Sequence, residues 1–164
     1  MARPNITIQK ANGQLGGVIP SADGTTLLVI SFDATAYGLT GPVTGLSLAD
    51  FEAAGITEAA DASNNVLVYE HIKDFYTKAP NGTELHVLPI GAASTVTDLF
   101  TDADSLNDTL KNYLSSQAGK IRLIGVSLNP TSEIEPTAGI SDDLVAAIPL
   151  ANTFADAEFD RFRP

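Results

Sequence analysis

Three short apolar runs govern what this chain can fold into: TLLVIS at 26–31, ELHVLPI at 84–90 and IRLIGVSL at 121–128. Each is too short for a buried helix, is rich in branched residues and is bounded by turn-forming residues, which reads as a strand. The stretches between them carry helical periodicity instead. Strand, helix, strand, helix, strand implies right-handed crossovers, hence an α/β fold: a largely parallel sheet with helices on both faces. The third run is apolar at 121, 123, 124, 126 and 128. It is expected to be a central strand covered on both faces, with Leu123 and Val126 in the core.

The helical segments announce themselves by their starts. Ser47 with Asp50, Thr95 with Asp98, and Ser105 with Asp108 share a Ser/Thr-x-x-Asp spacing, and Ser141 is followed by Asp142 and Asp143. An N-cap oxygen accepts from amides that lack a partner in the first turn, and a nearby acid complements the helix dipole. The first of these helices should stop at Gly55 and the one from Ser105 at Gly119. The longest middle helix is expected over 62–78, with Val66, Tyr69, Ile72, Phe75 and Tyr76 as its apolar stripe. A last helix is expected over 141–163, and Pro149 inside it should kink or divide it. FDATAYGLTGPVTG, following the first apolar run, reads as a loop.

At the N-terminus, Ile6 and Ile8 alternate with Thr7 and Gln9 in a short β-prone segment. A glycine-rich stretch of about fifteen residues, a length uncommon in compact domains, separates it from the first core strand. The chain therefore divides into an N-terminal strand and loop, 1–25, and an α/β core, 26–164, with Ile6 and Ile8 as candidate residues of an assembly arm.

Composition narrows the function classes. The 164 residues include 20 acidic against 9 basic side chains, a net charge of −11, which repels phosphate and argues against a nucleic-acid partner. With no cysteine there is neither disulfide nor thiolate metal site. No apolar run approaches the roughly 20 residues needed to span a bilayer, so no membrane association is expected. The N-terminus has no apolar core of signal-peptide type, so the chain is expected in the cytoplasm.

Chemical motifs are sparse. NGQLGG at 12–17 lacks the lysine and hydroxyl of a P-loop and the spacing of a dinucleotide fingerprint. His71 sits beside Glu70 on the middle helix and His86 alternates with Leu85 and Val87, neither with a second histidine at ligand spacing. TDADSLND at 101–108 places Asp102, Asp104 and Asp108 close together, but lacks the glycine and closing glutamate of a calcium loop, and capping accounts for Ser105 and Asp108. No nucleophile elbow occurs, and no Ser/His/Asp set follows from spacing alone. The expectation is therefore a non-enzyme without catalytic, cofactor or metal residues. A small-molecule site at the C-terminal ends of the strands, near 91–98 and 129–137, is the alternative by fold analogy. A soluble adaptor for one partner protein is a third.

Three stretches in order carry a resemblance: NITIQKANGQLGGVIPSADGTTLLVI, then GITEAADASNNVLVYEHIKDFYTKAPNGTELHVLPI, then LKNYLSSQAGKIRLIGVSLNP. Strand, glycine-rich loop and core strand are followed by a helix ending in Phe-Tyr, a turn and a strand, then by a helix, a Gly-Lys break and a strand. This order resembles the N-terminal half of contractile phage tail sheath proteins, in particular a branch found in prophages of gut anaerobes, and covers nearly the whole chain. Each stretch is a packing pattern, so the likeness lies in their sequence along the chain. It implies a structural subunit that polymerises with copies of itself around a tail tube, meets baseplate proteins, and passes from the bacterial host cytoplasm into an assembled particle. Proteins of this branch continue past the FDRFRP type of segment into another strand, so the chain is expected to be a fragment with an exposed sheet edge.

Overall fold

The computed structural model of the chain describes residues 25–80, 82–128 and 141–161. The segment carrying Ile6 and Ile8, the NGQLGG loop and residues 129–137 lie outside the described residues. The elements in order are β1 Thr26–Ser31, a 3₁₀ turn Ala34–Tyr37, β2 Val43–Gly45, α1 Leu48–Ala53, α2 Glu58–Asn64 and α3 Val68–Lys78. There follow β3 Leu85–Ile90, α4 Val96–Phe100, α5 Ser105–Ser116, β4 Leu123–Ser127 and α6 Asp142–Arg161. Among the described residues no helix is long and apolar enough to cross a membrane.

The four strands form one sheet in the order β2-β3-β1-β4. β1 is parallel to both β3 and β4, with Leu28 opposite Val87 on one side and Gly125 on the other, while β2 runs antiparallel to β3. Alternation along β1 sends Ile30 to one face and Leu27 and Val29 to the other. The first face is covered by Phe51 of α1 and by Val68, Tyr69 and Ile72 of α3. The second is covered by Leu99, Leu110, Leu114 and Phe154, from α4, α5 and α6. The chain moves from β1 to β3 in one direction and from β3 past β1 to β4 in the other. With right-handed crossovers, that reversal puts the two helix sets on opposite faces.

Several local features differ from the sequence reading. The helix expected over 62–78 is two helices, because Asn65 takes a left-handed conformation (φ 51°) and closes α2. Asp61, only 5% exposed, then joins them: its carboxylate accepts from the Tyr69 amide at 2.7 Å, in the first turn of α3, and from the Tyr37 hydroxyl at 2.6 Å. Part of the loop after β1 is a strand, β2. α5 is capped by Asp104, whose carboxylate accepts from the Leu106 amide, one residue before the expected Ser105. α6 runs as one helix through Pro149, so it is not divided there. α1 does end at Gly55, whose φ of 101° and close approach to the Tyr37 carbonyl exclude any larger residue.

The largest correction concerns β4. It lies at the edge of the described sheet, Leu123 is 62% exposed and Val126 is half-buried, so neither is a core residue. A run of apolar residues shows that a strand meets apolar surface. It does not show where in the sheet the strand sits, and the central place belongs to β1. Leu27→Ala should therefore destabilise the fold by about 2–5 kcal/mol, whereas Leu123→Ala should stay within about 0.5 kcal/mol of the parent. Urea unfolding of the two variants measures both.

Candidate functional site

In open parallel sheets, ligands sit beyond the C-terminal ends of the strands, where the chain reverses its direction across the sheet. Here that point lies between β1 and β4. Ser127 ends β4, and its hydroxyl lies 2.9 Å from Nε2 of His71 in the first turn of α3. The pair joins residues 56 apart, and no spacing rule could have brought them together. His71 is exposed, so the contact ties α3 to the edge strand at the surface.

The 91–98 segment, named in advance for a small-molecule site, follows β3 at the same end of the sheet. Thr95 caps α4 by accepting from the Asp98 amide at 3.0 Å. The Val96 and Thr97 amides donate to the Asp143 carboxylate of α6, at 2.8 and 3.0 Å. The amides an anion would use are thus already taken by a carboxylate of the chain itself. Burial works to raise the Asp143 carboxyl, but its contacts with Thr97 and the Val96 amide outweigh burial and hold it below the usual carboxylate range. In the acidic stretch, Asp102 pairs with Lys111 at 2.6 Å while Asp104 caps α5. Among the described residues no group of three or more His, Asp or Glu side chains is placed to hold a metal ion.

His86 behaves unlike His71. It points to the face opposite Leu85 and Val87 and is only 3% exposed. Its Nδ1 lies 2.7 Å from the Tyr113 hydroxyl of α5 and 3.2 Å from Oγ1 of Thr44 in β2. Nε2 is buried without a hydrogen-bond partner, the nearest acceptor being Glu84 Oε1 at 3.5 Å, too long for a normal hydrogen bond. Burial pushes the imidazole below its ordinary range, against the pull of Glu84. Burial likewise pushes the Tyr113 phenol up. The sequence signal for this cluster was slight: a histidine among the apolar residues of a strand.

Among the described residues the β4 edge is open. Beside it, α4, α5 and α6 leave a largely apolar hollow of about 670 Å³, lined by Phe100, Leu114, Ile124, Phe154 and Phe159, with Arg122 and Glu158 among its polar residues. Phe100 and Phe154 meet edge-to-face at 5.5 Å and close its inner wall. Phe159 is 63% exposed, and Leu144, Val145 and Ile148 also present apolar surface on α6. Comparison of the chain with protein-family models, curated proteins and solved structures finds no match.

Asp143 is expected to act as a structural cap. Asp143→Ala leaves two first-turn amides of α4 without their acceptor and should cost about 1–3 kcal/mol in urea unfolding. Because its carboxyl is held low in the folded state, the Asp143 contribution is full above its ordinary value of 3.8 and is lost as pH falls through the lowered one. The Ala variant should therefore lose less stability than the parent on acidification through that range.

Proposed function

We propose that the chain is the α/β core of a structural subunit of a contractile, phage-type tail sheath, which polymerises around a tail tube. The observation that carries this reading is the β4 edge. Among the described residues β4 pairs on one side only, its Leu123 is exposed, and an apolar hollow and the exposed Phe159 lie alongside. A sheet edge with an exposed apolar side chain, next to apolar surface, is a liability for a monomer and an attachment point for an assembling subunit. The ordered resemblance of the three sequence stretches supports the same reading. Its partners are copies of itself, the tail tube and the baseplate. Its course runs from host cytoplasm to assembled particle.

Electron microscopy of the purified protein tests the proposal: helical tubes or sheathed particles support it, and a monodisperse monomer under assembly conditions contradicts it. In this setting Ile6→Ser with Ile8→Ser should reduce tube formation. The same pair should leave the melting temperature within about 2–4 °C, the shift expected of roughly 1 kcal/mol in a domain of this size. Unfolding of the isolated chain by this pair would place Ile6 and Ile8 in the core and end their assignment to an arm. Leu123→Lys should likewise reduce tubes without lowering the melting temperature.

A second reading, a small-molecule site, draws on the His71–Ser127 pair at the point where the chain reverses across the sheet. A thermal-shift panel of nucleotides and metabolites tests it. A ligand at 100 times its dissociation constant stabilises by about 2.7 kcal/mol, and His71→Ala should abolish that shift. Absence of any shift across the panel removes the support for this reading.

A further inference from the structure

The β2 edge is held differently from the β4 edge. β2 has three residues, and its register sets Thr44 opposite His86. One tie is Tyr76, whose hydroxyl donates to the Gly45 carbonyl at 2.9 Å. Another is Phe51, packed so closely on Gly45 that a Cβ there would stand 2.6 Å from the ring. The third is the buried His86 with the half-buried Tyr113 and the exposed Thr44, which links β2, β3 and α5 through one imidazole.

Proton positions in that cluster follow from its surroundings. Nε2 faces the Glu84 carboxylate and so carries the hydrogen of the neutral ring. Nδ1 is then an acceptor, and at 2.7 Å the Tyr113 hydroxyl donates to it. Nδ1 has one lone pair, so the Thr44 hydroxyl at 3.2 Å is the weaker partner. Adding a proton to Nδ1 turns this acceptor into a donor. The Tyr113 hydroxyl must then turn its own hydrogen away, and the charge sits in a site with almost no water. The charged groups around it are Glu84 on the strand side, which favours the imidazolium, and Lys120 after α5, which opposes it. Thr44 from β2 and Leu27 from β1, its register neighbours, bring no charge.

We propose that Thr44, His86 and Tyr113 form an acid-operated latch, in which protonation of His86 loosens β2 and α5 from β3 while the β1–β3 ladder stays formed. The direction follows from linkage. Burial holds the folded-state imidazole below its ordinary value of 6.5, so the latched state binds fewer protons than the released one as pH falls below that value. Release therefore becomes easier with acid, by up to about tenfold per pH unit for one proton. β2 is the element that opens because it is the shortest strand and loses one of its few ties. Its departure would bare the outer edge of β3, giving the sheet a second pairing edge in acid.

The chain has two histidines, so each can be followed separately by nuclear magnetic resonance between about pH 7.5 and 5. His86 is expected to titrate below the ordinary imidazole value of 6.5. Across that titration, hydrogen-exchange protection of the β2 amides, corrected for intrinsic rates, should fall with pH by up to about tenfold per unit. Protection of the β1 amides at Leu28 and Val29 should hold. His86→Gln, which keeps a neutral acceptor for Tyr113, should make β2 protection independent of pH. Three results would each overturn the latch: His86 titrating at or above its ordinary value of 6.5, protection in β2 falling no more than in β1, or the Gln variant following the parent. Should the variant fail to fold, the titration and exchange of the parent decide alone, with the β1 amides as internal reference.

Discussion

Burial of β1 on both faces and along both edges is the constraint on which the rest of this structure depends. A parallel strand paired on each side has no face left for water, so helices must cover the sheet from above and below. Leu27 and Val29 are fully buried against one helix set, and Ile30 against the other. Placing the first strand at the centre also forces the chain to leave β1 one way and return past it the other. That reversal decides where the C-terminal ends of β1 and β4 meet, and so brings His71 and Ser127 together. It also sends β2 and β4 to the edges of the described sheet, where their outer sides become the main functional question.

The two edges answer that question differently. β2 is three residues long, begins just after Pro42 and ends on a glycine, features that discourage further pairing. Besides the packing of Phe51 on Gly45, its attachment relies on the Thr44 and Tyr76 hydroxyls. β4 has five residues, exposes Leu123 and lies beside an apolar hollow. Attachment of another strand there would cover apolar surface as well as complete a ladder, whereas at β2 it would first have to displace what is present. The assembly reading therefore rests on β4, and a condition-dependent change belongs to β2.

How much of this was legible in the sequence depends on the range of the interaction. The α/β class, β1, β3 and β4 as strands, the caps at Ser47 and Thr95, and the stop at Gly55 are local signals, and they were readable. The edge position of β4 was not, because Ile121 to Leu128 has the same apolar run whether a neighbour strand follows or not. β2 escaped notice because Val43–Gly45 is too short for alternation to register between its flanking glycines and proline. The break between α2 and α3 left a faint trace: Asn64 and Asn65 stand where the helix stops, and asparagine tolerates the left-handed conformation better than most residues. Of the site features, His86 was noticed within its strand, but its link to Thr44 and Tyr113 spans 42 and 27 residues. The His71–Ser127 contact left no trace at all.

The acidic composition shows the same division between local and distant causes. A net charge of −11 reads as a solvated, phosphate-repelling surface, yet several of these carboxylates do internal work at helix starts. Asp50 accepts from the Leu46 and Ser47 amides before α1, and Asp104 caps α5 from the adjoining residue. Asp61 serves the first turn of α3 from α2, and Asp143 serves α4 from α6, 46 and 47 residues away. In the last two cases a carboxylate that looks like surface charge holds one helix against another. Short helices such as the five-residue α4 have little stability of their own. Their places around the sheet therefore depend on these borrowed caps, and α4 and α6 between them line the hollow beside β4. The negative charge of this chain thus says less about its partners than about how its small helices are kept in position.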